Sequence, residues 1–130
     1  MAKKERLYLA GPMRGRPASN FAAFDTTKKA LEGMGYVIIS PADLTRANGY
    51  TGAYINQTPD KPEELLSPSR CTALIQDFLS ICFCDGVALM PEWTESLGAR
   101  AERAFAEAVG IECMLVSNWI QRKRLLNLIP

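Results

Sequence analysis

Residues 7–17 read LYLAGPMRGRP, and the first six of them decide the fold class. Leu7-Tyr8-Leu9-Ala10 is a short unbroken apolar run, and Gly11-Pro12 ends it. A run of this length closed by turn residues reads as a strand followed by a glycine-containing loop. The basic loop MRGRPAS comes next, then a helical pattern from about Asn20 to Met34, with Ser19 as candidate N-cap and Gly35 as the stop.

The same alternation continues outward. Tyr36-Val37-Ile38-Ile39 is a second strand, nearly all apolar as a doubly covered strand should be, and Ser40-Pro41 ends it. Thr45 to Lys61, rich in glycine, asparagine, threonine and tyrosine, shows no firm period. It reads as a long loop that is either a lid or binding loop or a variable insertion, and an aromatic lid from Tyr50 and Tyr54 is one form of the first. Ser67-Pro68 marks a helix start, after which Cys71, Leu74, Ile75, Phe78, Leu79 and Cys82 form an apolar stripe. Gly86 to Met90 is a third strand, followed by a PEWTES loop and a small-residue helix from about Leu97 to Val109, closed by Gly110. Ile111 to Val116 makes a fourth strand and Trp119 to Leu128 a basic terminal helix.

Strands alternating with helices predict an α/β fold with right-handed crossovers. The expected architecture is a single-domain Rossmann-like (flavodoxin-like) three-layer sandwich over residues 1–130, with a mainly parallel sheet of about four to five strands. The chain has 130 residues, 48% hydrophobic and 22% charged, enough for a core without metals or disulfides as staples. Net charge is +1, so no global field draws it to a nucleic acid polymer or an anionic membrane. MAKKERLYLAGP lacks the apolar core of a signal peptide, and the expected setting is cytoplasmic with reduced thiols. The four cysteines are expected as buried structural residues, with no metal. The sequence has no histidine, so acid, base or nucleophilic work falls to carboxylates.

In such sheets ligands bind beyond the carboxyl ends of the strands, at the switch in strand order. That rule gathers the GPMRGRP loop, the Ser40-Pro41 corner and the PEWTESLGA loop on one edge. Gly11 and Gly15 would let backbone approach a ligand and Arg14 and Arg16 would fork onto phosphate or carboxylate, or the loop is a solvated basic turn. Ser96 and Gly98 open a helix whose N–H groups suit a phosphate oxygen, or Ser96 is a plain N-cap. Asp77 interrupts an apolar run and needs a partner or water. Asp85 reads as a turn residue capping the way into the third strand. Glu102 is either an ordinary helix carboxylate or a group placed for chemistry.

These residues, in this order, resemble the nucleoside 2-deoxyribosyltransferase superfamily. LYLAGPMRGRP looks like the opening strand and phosphate loop of its 2′-deoxynucleoside 5′-monophosphate N-glycosidases. The spacing from Asp77 to Asp85, and SLGARAE from Ser96 to Glu102, match its later motifs. NF-x2-F, SPADL, CDG and W-x2-SLGA-x2-E look closest to a branch often borne by phages or prophages, the DUF4406 group. The resemblance implies Glu102 as the nucleophile that attacks sugar C1′, Tyr8 beside it, and Asp77 as the carboxylate that contacts the deoxyribose and assists the base. It places Arg14, Gly15, Ser96 and Gly98 on groups that hold the 5′-phosphate; Gly11, Met13, Arg16 and Asp85 complete the expected substrate-binding set, with no cofactor. It also implies a small-molecule nucleotide as ligand and a homodimer or higher homo-oligomer, with the RKRLLNLIP tail as a candidate contact. Pro12 stands where the hydrolases carry a serine. Arg100 and Arg103 flank Glu102, where they would either lower its pKa or pair with it and silence it.

Overall fold

The computed structural model describes residues 3–47 and 70–128. Among these, four strands form one all-parallel sheet: β1 (Arg6–Ala10), β2 (Val37–Ile39), β3 (Gly86–Leu89) and β4 (Glu112–Leu115). Their order is β2-β1-β3-β4, the flavodoxin-like order, with the switch point between β1 and β3. The α-helices are α1 (Phe21–Gly33), α2 (Pro41–Ala47), α3 (Arg70–Cys82), α4 (Leu97–Ala108) and α5 (Val116–Leu126).

Alternation along the strands divides the core in two. Leu7, Leu9, Ile38 and Ala88 pack beneath α1 and α5 with Phe24, Leu31 and Trp119. The next residues along, Tyr8, Ala10, Val87 and Leu89, face α3 and α4, where they meet Ile81, Ala99 and Ala106. The result is a Rossmann-like three-layer sandwich, as the sequence pattern predicts. In register, Tyr8 stands beside Ile39 on one side and Val87 on the other, and Val87 beside Cys113. This row is the floor under α3 and α4.

Two glycines are required by close packing. A Cβ on Gly86 would lie 2.5 Å from the Trp119 ring, whose Nε1 donates to the Val87 carbonyl at 2.9 Å. A Cβ on Gly11 would lie 2.9 Å from Met90, so the close approach that Gly11 permits is to the end of β3.

Four local expectations are corrected. The helix α2 occupies Pro41–Ala47, where the strand end and the beginning of the long loop were expected. Ser40 caps it by accepting from the Ala42 N–H at 3.2 Å, and proline suits the first turn because its missing N–H would be unpaired there anyway. Ser19 does not cap α1; Ala18, Ser19 and Asn20 form a left-handed turn with φ of 48°, 53° and 61°, and Asn20 donates through Nδ2 to the Pro12 carbonyl. The terminal helix begins at Val116 instead of Trp119, directly after β4. Of the four cysteines, Cys71 and Cys82 are exposed and Cys113 is half-buried; only Cys84 is buried, where burial pushes its thiol up to about 11. The helix start at Ser67-Pro68 and the Tyr50–Tyr54 lid lie outside the described residues. No helix among the described residues is long and apolar enough to cross a membrane.

Candidate active site

Glu102 sits on the buried face of α4. Ala99, three residues before it, and Ala106, four after, share that face and are 1% and 0% exposed. Their small side chains let α4 lie close over the strands, and Glu102 is itself only 5% exposed. Beneath it the fully buried Tyr8 donates its phenolic O–H to Glu102 Oε2 at 2.6 Å. Asp77, on α3, lies close enough to Glu102 and Tyr8 to act electrostatically on both. The two helices are held together by Phe78 and Phe105, whose rings stack at 4.4 Å with planes 2° apart. One of these rings follows Asp77 directly and the other lies one turn past Glu102. The three residues that the sequence singled out as chemical are thus brought together by three different elements.

The electrostatics of this cluster follow from burial. Removal from water pushes Glu102 well above the usual carboxylate range, and the neighbouring Asp77 charge pushes it further; the bond from Tyr8 works the other way. Asp77 is also raised by burial, while its hydrogen bonds to Glu102 and Tyr8 oppose the rise. Burial and the two carboxylates hold the Tyr8 phenol firmly protonated. Two carboxyls this close cannot both ionise cheaply, so the pair retains one shared proton through the range where isolated carboxylates have lost theirs.

Arg100 and Arg103 do neither of the things expected of them. Arg103 turns outward to pair with Glu107 at 2.7 Å and lies over the Trp93 ring, and Arg100 is exposed on the solvent side of α4. What acts on Glu102 is burial, Asp77 and Tyr8.

The loops at the carboxyl edge are less open than their composition suggests. Arg16 Nη1 pairs with Glu92 at 2.7 Å and Nη2 lies 3.8 Å from Glu95, tying the loop after β1 to the loop after β3. Glu92 adopts a left-handed backbone, φ 66°, which a non-glycine residue rarely takes. Arg14 and Gly15 are exposed, Gly15 with φ 77°, and Met13 packs against the α1-side core. The Ser96 Oγ accepts from the Ala99 N–H at 3.1 Å, so the plain N-cap reading holds, and a Cβ on Gly98 would make only an ordinary contact with the same Oγ at 3.8 Å. A cleft of about 440 Å³ opens between these loops and α1, lined by Arg16, Asn20, Thr26, Thr27, Met90 and Glu92 among others. It lies on the α1 side of the sheet, whereas Tyr8, Asp77 and Glu102 lie on the α3–α4 side.

Asp85 does not belong to this site. Its carboxylate accepts from the Arg6 N–H at 2.8 Å and its own N–H donates to the Arg6 carbonyl at 2.7 Å. That places it at the amino end of β1, the opposite edge of the sheet, because the residue preceding β3 must stand beside the first residue of its parallel neighbour. Glu92 is the site-edge residue that sequence reasoning passed over; its signal was an acidic residue in a loop expected to carry anion-binding groups. Among the described residues no cluster of three or more Cys, Asp or Glu side chains is placed to hold a metal ion.

No curated protein matches the chain. Residues 5–115 match the family model described as Domain of unknown function (DUF4406), a span that contains Tyr8, Asp77 and Glu102. The chain belongs to that family.

Proposed function

We propose that the protein cleaves the N-glycosidic bond of a 2′-deoxynucleoside 5′-monophosphate, with Glu102 as nucleophile. The observation that carries this reading is the buried Tyr8–Glu102 bond with Asp77 beside it. Burying a glutamate to this degree costs stability, a cost that functional sites commonly carry, and a proton-sharing carboxyl pair supplies both roles that glycosidic cleavage requires.

The step divides between the two acids. With substrate bound, the shared proton rests on Asp77 and Glu102 is ionised, its Oε2 held in place by the Tyr8 hydroxyl. The other Glu102 oxygen attacks C1′ as the C1′–N bond breaks through an oxocarbenium-like state, and the departing base takes its electron pair and the proton from Asp77. The ester between Glu102 and C1′ is then opened by water. Asp77 takes the water's proton, C1′ gains a hydroxyl, and Glu102 returns to a carboxylate. A second nucleoside base in place of water would make the same site a transferase.

The 5′-phosphate falls to the loops at the carboxyl edge, with Arg14, Gly15, the Ser96 hydroxyl and the first N–H groups of α4 as the donors this reading assigns to it. Arg16 joins them only if it leaves Glu92. A second reading, a nucleotide-binding protein without turnover, rests on Pro12, which takes a hydroxyl and a backbone N–H out of the loop where the similar hydrolases carry a serine. Incubation with a panel of deoxynucleoside monophosphates, with chromatography for free base, separates the two. Base release abolished by Glu102→Ala supports cleavage. Ligand-dependent melting shifts with no release support the binder.

A further inference from the structure

The carboxyl edge carries an ion pair across the crevice where the strand order switches. Arg16 stands on the loop after β1 and Glu92 on the loop after β3, and their 2.7 Å contact ties the two loops together. Glu95 adds a second carboxylate, 3.8 Å from the other Arg16 nitrogen. A sheet with this strand order receives its ligand at that crevice, so the pair sits in the ligand's way. It is also a weak barrier. The Arg16 side chain is 29% exposed and that of Glu92 56%, and a wet pair of this kind contributes little to stability. Both backbones are held without it. The Arg16 N–H donates to the Met13 carbonyl at 3.3 Å, and its carbonyl accepts from the Ser19 N–H at 3.0 Å. The Glu92 carbonyl accepts from the Glu95 N–H at 3.0 Å. Opening the pair therefore asks two side chains to move and leaves the loops anchored. Glu92 makes its contact from a left-handed backbone, φ 66°, the kind of strain that collects at ligand clamps. The cleft of about 440 Å³, lined by both residues, gives the released groups and an incoming ligand room.

We propose that Glu92 determines specificity as an internal competitor for Arg16: it holds the guanidinium until a phosphate monoester takes its place. The choice of a phosphate monoester rests on the nucleotide reading above, while the exchange itself is independent of whether the ligand is then cleaved. Pro12 has no N–H to offer an anion, so the loop's charge-bearing donors are its arginines, and Arg16 is the one held at the crevice. A tethered carboxylate competes as if present at roughly millimolar concentration or more. A free monoanion that brings a single charge and no other contact does not displace it. A phosphate monoester carries about two charges at pH 7, forks onto a guanidinium through two oxygens, and adds the contacts of the sugar attached to it. An unphosphorylated nucleoside brings nothing that Arg16 prefers to Glu92, and the loops stay tied. Glu95, whose oxygen stands beyond hydrogen-bond distance, plays a lesser part in the same competition.

The test is calorimetric titration of the full chain with deoxyribose 5-phosphate, with deoxyribose as the unphosphorylated control. The salt is held at about 0.15 M, where repulsion from an exposed carboxylate is largely screened. Wild type should bind the phosphate and not the control. Glu92→Gln keeps the size of the side chain and removes its charge, and should bind the phosphate about two- to five-fold tighter than wild type. Arg16→Gln should bind it about tenfold more weakly. Adding Glu92→Gln to Arg16→Gln should bring no tightening, because the carboxylate then has nothing to compete for. Both residues lie on anchored loops and are partly exposed, so circular dichroism should report folded chains throughout. A pair that merely strapped the loops together would give the opposite sign, with Glu92→Gln loosening the site and weakening binding. The proposal is overturned if Glu92→Gln leaves binding unchanged or weaker, if its tightening persists in the Arg16→Gln background, or if wild type and Glu92→Gln both fail to bind the phosphate. Equal binding of deoxyribose overturns it as well. Neither sugar has a base to lose, so the outcomes separate cleanly from turnover. Base release from a nucleotide without these responses keeps the cleavage reading and removes the exchange, and the responses without base release do the reverse.

Discussion

Glu102→Gln isolates the energetic cost of the buried pair. In the folded protein burial and Asp77 raise the Glu102 carboxyl well above its ordinary value, so the folded state holds a proton that the unfolded chain gives up. Between the ordinary carboxylate range and the raised folded value the native state binds more protons than the unfolded state, and stability therefore falls as pH rises across that window. Above it the cost is constant. The amide of the variant is neutral and its hydrogen bonds stay complete: the carbonyl oxygen accepts from Tyr8 and the NH₂ donates to Asp77. The variant folds without that proton uptake, and with no polar group orphaned in a site that is 5% exposed it should be the more stable at neutral pH by about 1–3 kcal/mol. In a chain of this length that corresponds to roughly 3–10 °C in melting temperature. The assay is paired urea or thermal unfolding of wild type and variant from about pH 4 to about pH 8. The two curves should converge at the acid end, where both sites are neutral, and separate as pH rises. A variant that is less stable at neutral pH, or a difference that does not change with pH, would refute the shared-proton account.

Other substitutions probe single contacts. Tyr8→Phe removes the donor that opposes the rise of Glu102, so the acid limb of any base-release profile should move to higher pH; an unmoved or lowered limb contradicts the assigned hydrogen bond. Gly86→Ala should cost about 1–3 kcal/mol in denaturant unfolding, because its Cβ would lie 2.5 Å from the Trp119 ring. Asp85→Ala should cost about 0.5–1.5 kcal/mol through loss of its bond to the Arg6 N–H and leave base release unchanged, which places it outside the site.

The fold was legible because its elements are locally consistent. The apolar runs at residues 7–10, 36–39 and 86–90 are strands by composition alone, and predicted helix limits fall within a residue or two of α1 and α4. The helix α2 escaped because the loop-like residues after it set the expectation for the whole stretch, although Ser40-Pro41 is the same capping pair that signalled a helix at Ser67-Pro68. Ser19 misled because nothing in a single sequence announces three consecutive left-handed residues. The resemblance grouped Tyr8, Asp77 and Glu102, which no periodicity could do: they come from a strand and two helices, 94 residues apart at the extremes. The exposure of Cys71 and Cys82 was hidden for a related reason, since α3 is apolar on two sides and only the packed structure shows which side meets the sheet.

The central claim is that Glu102 forms a bond to C1′. Its most direct test is denaturing mass spectrometry of wild type and Glu102→Gln after brief mixing with the panel of deoxynucleoside monophosphates, with free base measured in the same samples. The account predicts base release by the wild type, with an adduct of one deoxyribose 5-phosphate residue on the peptide containing Glu102, and neither product from the variant. Base release by Glu102→Gln at the wild-type rate would contradict it.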